Sequence, residues 1–308
     1  MKEIIILNSG HEDAIRKSGV AAYSLLRDCG RVGKLLRSIC FRISRRLIPL
    51  FYSPDWLNVV RDAETILLFD GDNNKFLTEK IASLYLNQRL IFFFWNPVKN
   101  EKKVIEIHPS FEVWTSDYWD AMKYGLHYGG QFIFDKEFRH PYKDNLYDLY
   151  FVGINKGRFD KLFRLKEILA HEYNLNLFFR FVDPIRRFFS KKYSPRIPYS
   201  QVIDESKKTK ALLEFNQEGQ QGLTLRAIEA IFLQKKLVTY NKDIVNYRFY
   251  NPQNILVIDN DNLLGIGDFF LSPIIPYSSD TQEYYSFFSW LKRILDKEIC
   301  KDRIDIVK

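Results

Sequence analysis

Short apolar runs alternate along the chain with stretches whose apolar residues recur every three or four positions. The runs predict strands over 4–7, 65–69, 90–95, 112–114 and 132–134, then over 149–152, 175–181, 211–215, 237–240 and 255–258. The longer period predicts helices over 76–86, 159–171 and 224–234, with a last helical stretch over 281–296. Strands separated by helices in this way imply an α/β chain with largely parallel sheets. A polar segment containing Pro141, residues 139–145, breaks the pattern and has the composition of a linker. It separates a Rossmann-like domain over 1–140 from a second over 146–275. Residues 281–308, with Trp290, are expected to pack back across both. A chain of 308 residues suits two such domains. Parallel sheets bind ligands beyond the carboxyl ends of their strands, so two domains facing a cleft would offer two sets of ends.

Composition narrows the class. The 26 Phe and 18 Tyr fall mostly in the apolar runs, where they fill cores. Cys29, Cys40 and Cys300 are odd in number and lack paired spacing, which excludes a disulfide framework and a zinc site and fits a reducing cytoplasm. No basic-then-apolar leader opens the sequence, and no apolar stretch approaches the about 20 residues of a membrane span. The net charge of +8 admits an anionic partner. Between 29 and 54 there is no acidic residue, while Arg31, Lys34, Arg37, Arg42, Arg45 and Arg46 are interleaved with Leu35, Leu36, Ile39, Cys40, Ile43, Leu47 and Ile48. A basic amphipathic helix of this kind suits an anionic membrane surface; the same spacing also suits a surface helix whose apolar stripe faces the core. No nucleic-acid-binding motif accompanies the charge, so nucleic acid is not an expected partner. The expected location is the cytoplasm, with peripheral contact at the inner face of the cell membrane.

Three segments carry candidate chemistry. Residues 221–230 place Gly222 and Thr224 at a helix start, where unpaired N–H groups and a partial positive charge hold a phosphate. Arg226 adds a fork of donors, and Glu229, one turn on, is placed to accept from ribose hydroxyls. An ordinary Arg226–Glu229 surface pair fits the spacing equally well. Strand 149–152 runs through Gly153 into a turn with Lys156 and Arg158 before a helix, which suits a diphosphate, although a basic surface loop reads the same. Strand 65–69 is followed by Asp70 and Asp72, which offer substrate contact or a cation site; Asp259 and Asp261 repeat the spacing in what reads as a polar loop. Of five histidines, none is paired at metal-ligand spacing, and His11, after the first strand, is a candidate general base.

Residues 221–230, continued by Lys235-Lys236-Leu237-Val238-Thr239-Tyr240-Asn241-Lys242-Asp243-Ile244, resemble the donor-domain segment of GT-B glycosyltransferases from bacterial capsule and lipopolysaccharide clusters. Phe249-Tyr250 and Asn254-Ile255 follow as in that family. Trp114-Thr115-Ser116-Asp117, Asp120-Ala121 and Lys123-Tyr124-Gly125-Leu126 are similar to the end of its acceptor domain, and 149–158 to the opening of its second domain. The resemblance implies a GT-B fold and glycosyl transfer from a nucleotide-sugar donor to a glycan or glycolipid acceptor, without a cofactor or bound metal. It implies a ribose contact at Glu229 and a diphosphate near Gly153, Lys156, Arg158, Gly222, Thr224 and Arg226. His11, Asp70, Asp72 and Asp117 are the candidates for a base beside the acceptor. A nucleotide-sugar epimerase of the same fold, or a catalytically silent GT-B-like scaffold subunit, is also compatible with these residues.

Overall fold

The computed structural model describes residues 4–7, 10–71, 74–84, 87–98, 101–134, 138, 145–155, 157–183, 186–216, 222–259 and 262–305, without the side chains at 31, 34, 35, 38, 41, 42, 45, 46, 48 and 74. The chain divides into two compact units, Met1–Gly129 and Gly130–Lys308.

Unit 1 runs β1 (Ile4–Leu7), α1 (Glu12–Lys17), β2 (Ala21–Tyr23), α2 (Gly30–Ile43), α3 (Pro54–Val59), β3 (Thr65–Phe69), α4 (Asn74–Leu84), β4 (Arg89–Phe94), α5 (Glu101–Ile105), β5 (Phe111–Thr115), α6 (Tyr118–Tyr124) and β6 (His127–Tyr128). Its six strands form one parallel sheet in the order β2-β1-β3-β4-β5-β6. β1 and β3 are buried along their whole length, as a parallel sheet covered on both faces requires. Ile5, Leu7, Ile66, Leu68 and Phe92 join Trp56 and Ile81 in one core cluster.

Unit 2 runs β7 (Tyr147–Ile154), α7 (Phe159–His171), β8 (Leu177–Val182), α8 (Tyr199–Ser206), β9 (Thr209–Glu214), α9 (Leu225–Leu233), β10 (Lys236–Thr239), β11 (Ile255–Val257), α10 (Ile266–Leu271), α11 (Ser279–Tyr284) and α12 (Phe287–Leu295). Five parallel strands lie in the order β11-β10-β9-β7-β8. Alternate residues face opposite cores: Tyr150, Leu212 and Leu237 meet α9, while Leu149, Phe151, Ala211, Leu213 and Val238 meet α7 and α10. The α7 stripe of Leu162, Leu165 and Leu169 is buried at helical spacing.

Two expectations need correction. Residues 132–134 form no sheet strand. Ile133 N donates to Tyr285 O (3.0 Å) and Ile133 O accepts from Phe287 N (2.9 Å), so the run makes one isolated bridge. Its rings pack on a helix instead, with Phe132 stacked on Trp290 at 4.0 Å. The same bridge splits the helix predicted over 281–296, because it takes the backbone of 285–287 out of helical pairing. Ser286 then caps α12 by accepting from Ser289 N (3.3 Å). Strands β2 and β6 were not predicted; one opens on two alanines and the other has two residues, so neither carries a strand signal. Among the described residues no helix is long and apolar enough to cross a membrane.

Candidate functional site

The order of the strands singles out one point in each sheet. In unit 2 the chain moves outward from β7 to β8, then crosses back to β9 on the other side of β7. The crevice at the carboxyl ends of β7 and β9 is therefore the topological switch point, where open α/β sheets bind ligands. Arg158 sits there. Its Nε donates to Ile154 O at the end of β7 (3.1 Å), and its Nη1 to Phe215 O just past β9 (2.5 Å). The turn that delivers it needs Gly157, whose φ is +80°, and Asn155, whose Oδ1 accepts from Phe159 N (3.2 Å) at the start of α7. Gly153 leaves room for the guanidinium: a Cβ there would run into Arg158 Nη2 and lie 2.8 Å from Phe151 Cζ.

Helix α9 starts at the same edge. Thr224 caps it, accepting from Arg226 N (3.1 Å), and the Thr224 hydroxyl donates to Glu214 Oε1 (2.6 Å). Glu214 ends β9, is fully buried, and also accepts from Thr239 Oγ1 at the end of β10 (2.5 Å). Gly222 O accepts from Asn216 and Asn241 side-chain amides, both at 3.4 Å, which ties the loop before α9 to the ends of β9 and β10. Arg226 turns inward to ion-pair with Glu229 and donates to Ser206 Oγ (3.2 Å), while Glu229 Oε1 accepts from Tyr199 Oη (2.8 Å). The pair is buried, with side chains 13% and 3% exposed, and is not the surface pair that the spacing also allowed. A second, half-buried set lies beside it: Glu205 accepts from Tyr150 Oη (2.8 Å) and from Arg180 (2.6 and 3.2 Å).

The electrostatics follow from burial. Removal from water raises the pKa of both Glu214 and Glu229, opposed at Glu214 by the two threonines and at Glu229 by Arg226 and Tyr199. Burial and the neighbouring Arg226 charge both disfavour the Arg158 cation. Among the described residues no carboxylate is ion-paired with Arg158. Two guanidinium groups thus repel one another at the switch point, and Arg226 is ion-paired with Glu229. An anion would relieve that repulsion.

In unit 1 the switch lies between β1 and β3. His11 follows β1 and Asp70 follows β3, and Trp95 after β4 touches both: its ring is 5.3 Å from that of His11, and its backbone N–H donates to Asp70 Oδ1 (2.8 Å). Asn96 Nδ2 donates to Asp70 Oδ2 (3.1 Å). Burial lowers the pKa of His11, favouring a neutral imidazole, and raises that of Asp70. Asp117 is placed differently. Its Oδ1 accepts from Trp119 N and Asp120 N (2.9 and 3.2 Å) as the cap of α6.

Of the residues named from sequence, Gly153, Arg158, Gly222, Thr224, Arg226 and Glu229 gather around one sheet edge. Lys156, Asp72, Gln221 and Asp261 lie outside the described residues. Asp259 pairs with Lys242 (3.0 Å) in a turn. Among the described residues no three His, Cys, Asp or Glu side chains gather as metal ligands. Sequence reasoning missed Glu214, Tyr199, Asn155 and Trp95. A lone carboxylate closing the apolar run 211–213 was the signal available for Glu214.

No family model and no characterised protein matches the chain in sequence. In fold it is similar to the apo form of the lipopolysaccharide outer-core galactosyltransferase WaaB, with a TM-score of 0.50 at 13% identity over 96% of this chain and 100% of that one. It is also similar to TarM (TM-score 0.47, 14% identity, 75% of this chain), of which it spans 54%, and to a co-structure of S. aureus MnaA with UDP (TM-score 0.44, 12% identity, 96% and 95% of the two chains). Two α/β units, each built on one parallel sheet of six or five strands, give the chain the GT-B fold.

Proposed function

We propose that the protein is a glycosyltransferase that moves a sugar from a nucleotide-sugar donor to a glycan or glycolipid acceptor of the bacterial surface. The observation that carries the reading is the switch point of unit 2, where Arg158, Arg226 and the start of α9 gather at the ends of β7 and β9. As the anomeric bond breaks, the leaving nucleoside diphosphate gains negative charge. Fixed cations and a helix start stabilise that charge more in the transition state than in the ground state, which is what lowers the barrier. In this reading Arg158, with Lys156 and Thr224, serves the diphosphate, and the reaction needs neither a cofactor nor a metal. Arg226 holds Glu229 in place, and Glu229 turns from Tyr199 to the ribose hydroxyls. Unit 1 serves the acceptor, with His11 as the base, because burial keeps its imidazole neutral. Asp70 orients the neighbouring Trp95 backbone, and Asp117, with its Oδ1 engaged by α6, supports the α6 turn.

The acceptor is reached at an anionic membrane surface through α2. Val32, Leu36, Ile39 and Ile43 recur at i, i+4, i+7 and i+11 and are all exposed. At about 100° per residue they fall within roughly 60° of arc, a single apolar stripe on a helix that carries no acidic residue.

The reading is tested by a thermal-shift screen against nucleoside diphosphates and nucleotide sugars. A ligand of the folded state raises the melting temperature in proportion to the logarithm of its concentration over Kd. One nucleotide series is expected to stabilise the protein, and its sugar to be transferred when an acceptor extract is added. Isomerisation of the donor sugar without acceptor, or no shift with any nucleotide, would overturn it.

A further inference from the structure

The loop after β8 presents a surface to which the proposed transfer reaction assigns no residue. It reads Arg186-Arg187-Phe188-Phe189-Ser190-Lys191-Lys192, with Arg196 a little further on. Both ends are pinned. Asp183 N donates to Ser194 O (3.2 Å), and Ser194 N donates to Phe181 O (2.7 Å). Tyr193 packs on Phe159 of α7 at 5.1 Å, and Lys192 lies over the Phe163 ring at 5.3 Å. Between the pinned ends, Phe188 and Phe189 are 70% and 86% exposed, and no large apolar side chain among the described residues is more exposed than Phe189.

A singly exposed apolar residue needs no explanation, but two adjacent phenylalanines held out by a fixed loop do. The charge around them selects a partner. Arg186, Arg187, Lys191, Lys192 and Arg196 are all exposed, whereas Asp183 is the one acidic residue among 183–198 and pairs with Arg186 at 3.8 Å. The Arg187 guanidinium lies over the Phe188 ring at 4.2 Å. Apolar rings that enter the boundary between headgroups and acyl chains, flanked by cations that stop at the phosphates, make an interfacial anchor. We propose that the loop 186–192 docks unit 2 on an anionic lipid bilayer. The inference does not depend on the transfer reaction. It concerns a different unit from α2 and stands whether or not α2 meets the membrane.

The test is co-sedimentation of the full chain with vesicles of phosphatidylcholine alone and with phosphatidylglycerol added. Three variants are compared with wild type: Phe188→Ser/Phe189→Ser, Arg187→Glu/Lys191→Glu, and Leu36→Gln/Ile39→Gln in α2. All these side chains are exposed or half-buried, so unchanged melting curves serve as the control for folding. Each basic residue near an anionic surface is worth about fivefold in partitioning, so the double charge reversal is expected to weaken binding by at least about 25-fold. The phenylalanine pair is expected to lose a similar factor, in the wild-type and in the α2-variant background alike. Inorganic phosphate at the lipid phosphate concentration is expected not to compete. Binding by the α2 variant but not by the phenylalanine variant would remove α2 from the membrane and leave the loop in place. Wild-type partitioning by Phe188→Ser/Phe189→Ser, or wild-type retention in the supernatant with anionic vesicles at low salt, would overturn the proposal.

Discussion

Replacing Glu229 by alanine removes the carboxylate that pairs with Arg226 among the described residues and an acceptor of the Tyr199 hydroxyl. Glu229 is buried and Arg226 largely so, and Arg226 would keep its charge without its counter-ion. Breaking a buried pair from one side costs about 3–5 kcal/mol. A domain has about 5–15 kcal/mol of total stability, and each kcal/mol lowers the melting temperature of a unit this size by about 2–4 °C. Glu229→Ala is therefore expected to melt about 6–20 °C below wild type by circular dichroism. Arg226→Met/Glu229→Leu replaces both charges with apolar groups of similar volume and is expected to recover most of that loss. The double variant should still bind nucleotide about 10- to 150-fold more weakly, because it lacks the proposed ribose contact. A Glu229→Ala variant that melts within about 2 °C of wild type would refute the burial argument. A double variant that binds nucleotide normally would remove Glu229 from the donor site.

Gly153→Ala pushes the Arg158 fork off its two carbonyls; donor affinity in calorimetry is expected to fall about tenfold, with a stability loss of no more than about 1–3 kcal/mol. Burial raises the pKa of Glu214, so above pH 4.5 the folded chain holds a proton that the unfolded chain has lost, and its contribution to stability falls as pH rises. The stability of wild type relative to Glu214→Gln, from urea titrations at stepped pH, should accordingly decline upward from pH 4.5. A relative stability that rises over that range would contradict the assignment. Transfer activity is expected to survive a strong chelator. Complete loss on adding EDTA, restored by Mg²⁺ or Mn²⁺, would instead assign Asp70 and Asp72 to a cation.

Periodicity made much of the fold legible. The bounds of β1, β3 and α7 coincide with those read from the sequence, because long buried runs and a clean 162–165–169 stripe leave few alternatives. Where tertiary pairing outweighed local pattern, the reading failed. Residues 132–134 look like a strand but find their partners in 285–287, and the same contact divides α11 from α12. The helix start at 224–229 was legible because Thr224, Arg226 and Glu229 belong to one capped helix. Glu214 and Tyr199 reach that segment from other elements, and no local spacing records such a meeting. Lys235 and Lys236 illustrate the converse. They belong to the motif that resembles the GT-B family, yet Lys236 donates to the Ser272 carbonyl and hydroxyl (both 2.7 Å) at the end of α10, and Lys235 to Asn145 (2.7 Å). Lys236 thus ties β10 to the carboxyl end of α10, where a cation is favoured, and Lys235 ties the start of β10 to the segment before β7.

The most direct test of the donor site is a calorimetric titration of wild type and Arg158→Met with the nucleoside diphosphate that the thermal-shift screen selects. Arg158 bridges β7 and β9 without a carboxylate partner among the described residues, so its charge is free to meet a diphosphate. A charged hydrogen bond of this kind is worth about 1.5–3 kcal/mol, which predicts saturable binding to wild type and a loss of about 10- to 150-fold in the variant. Equal affinity in the two proteins, or no binding of any nucleoside diphosphate to wild type, would contradict the account.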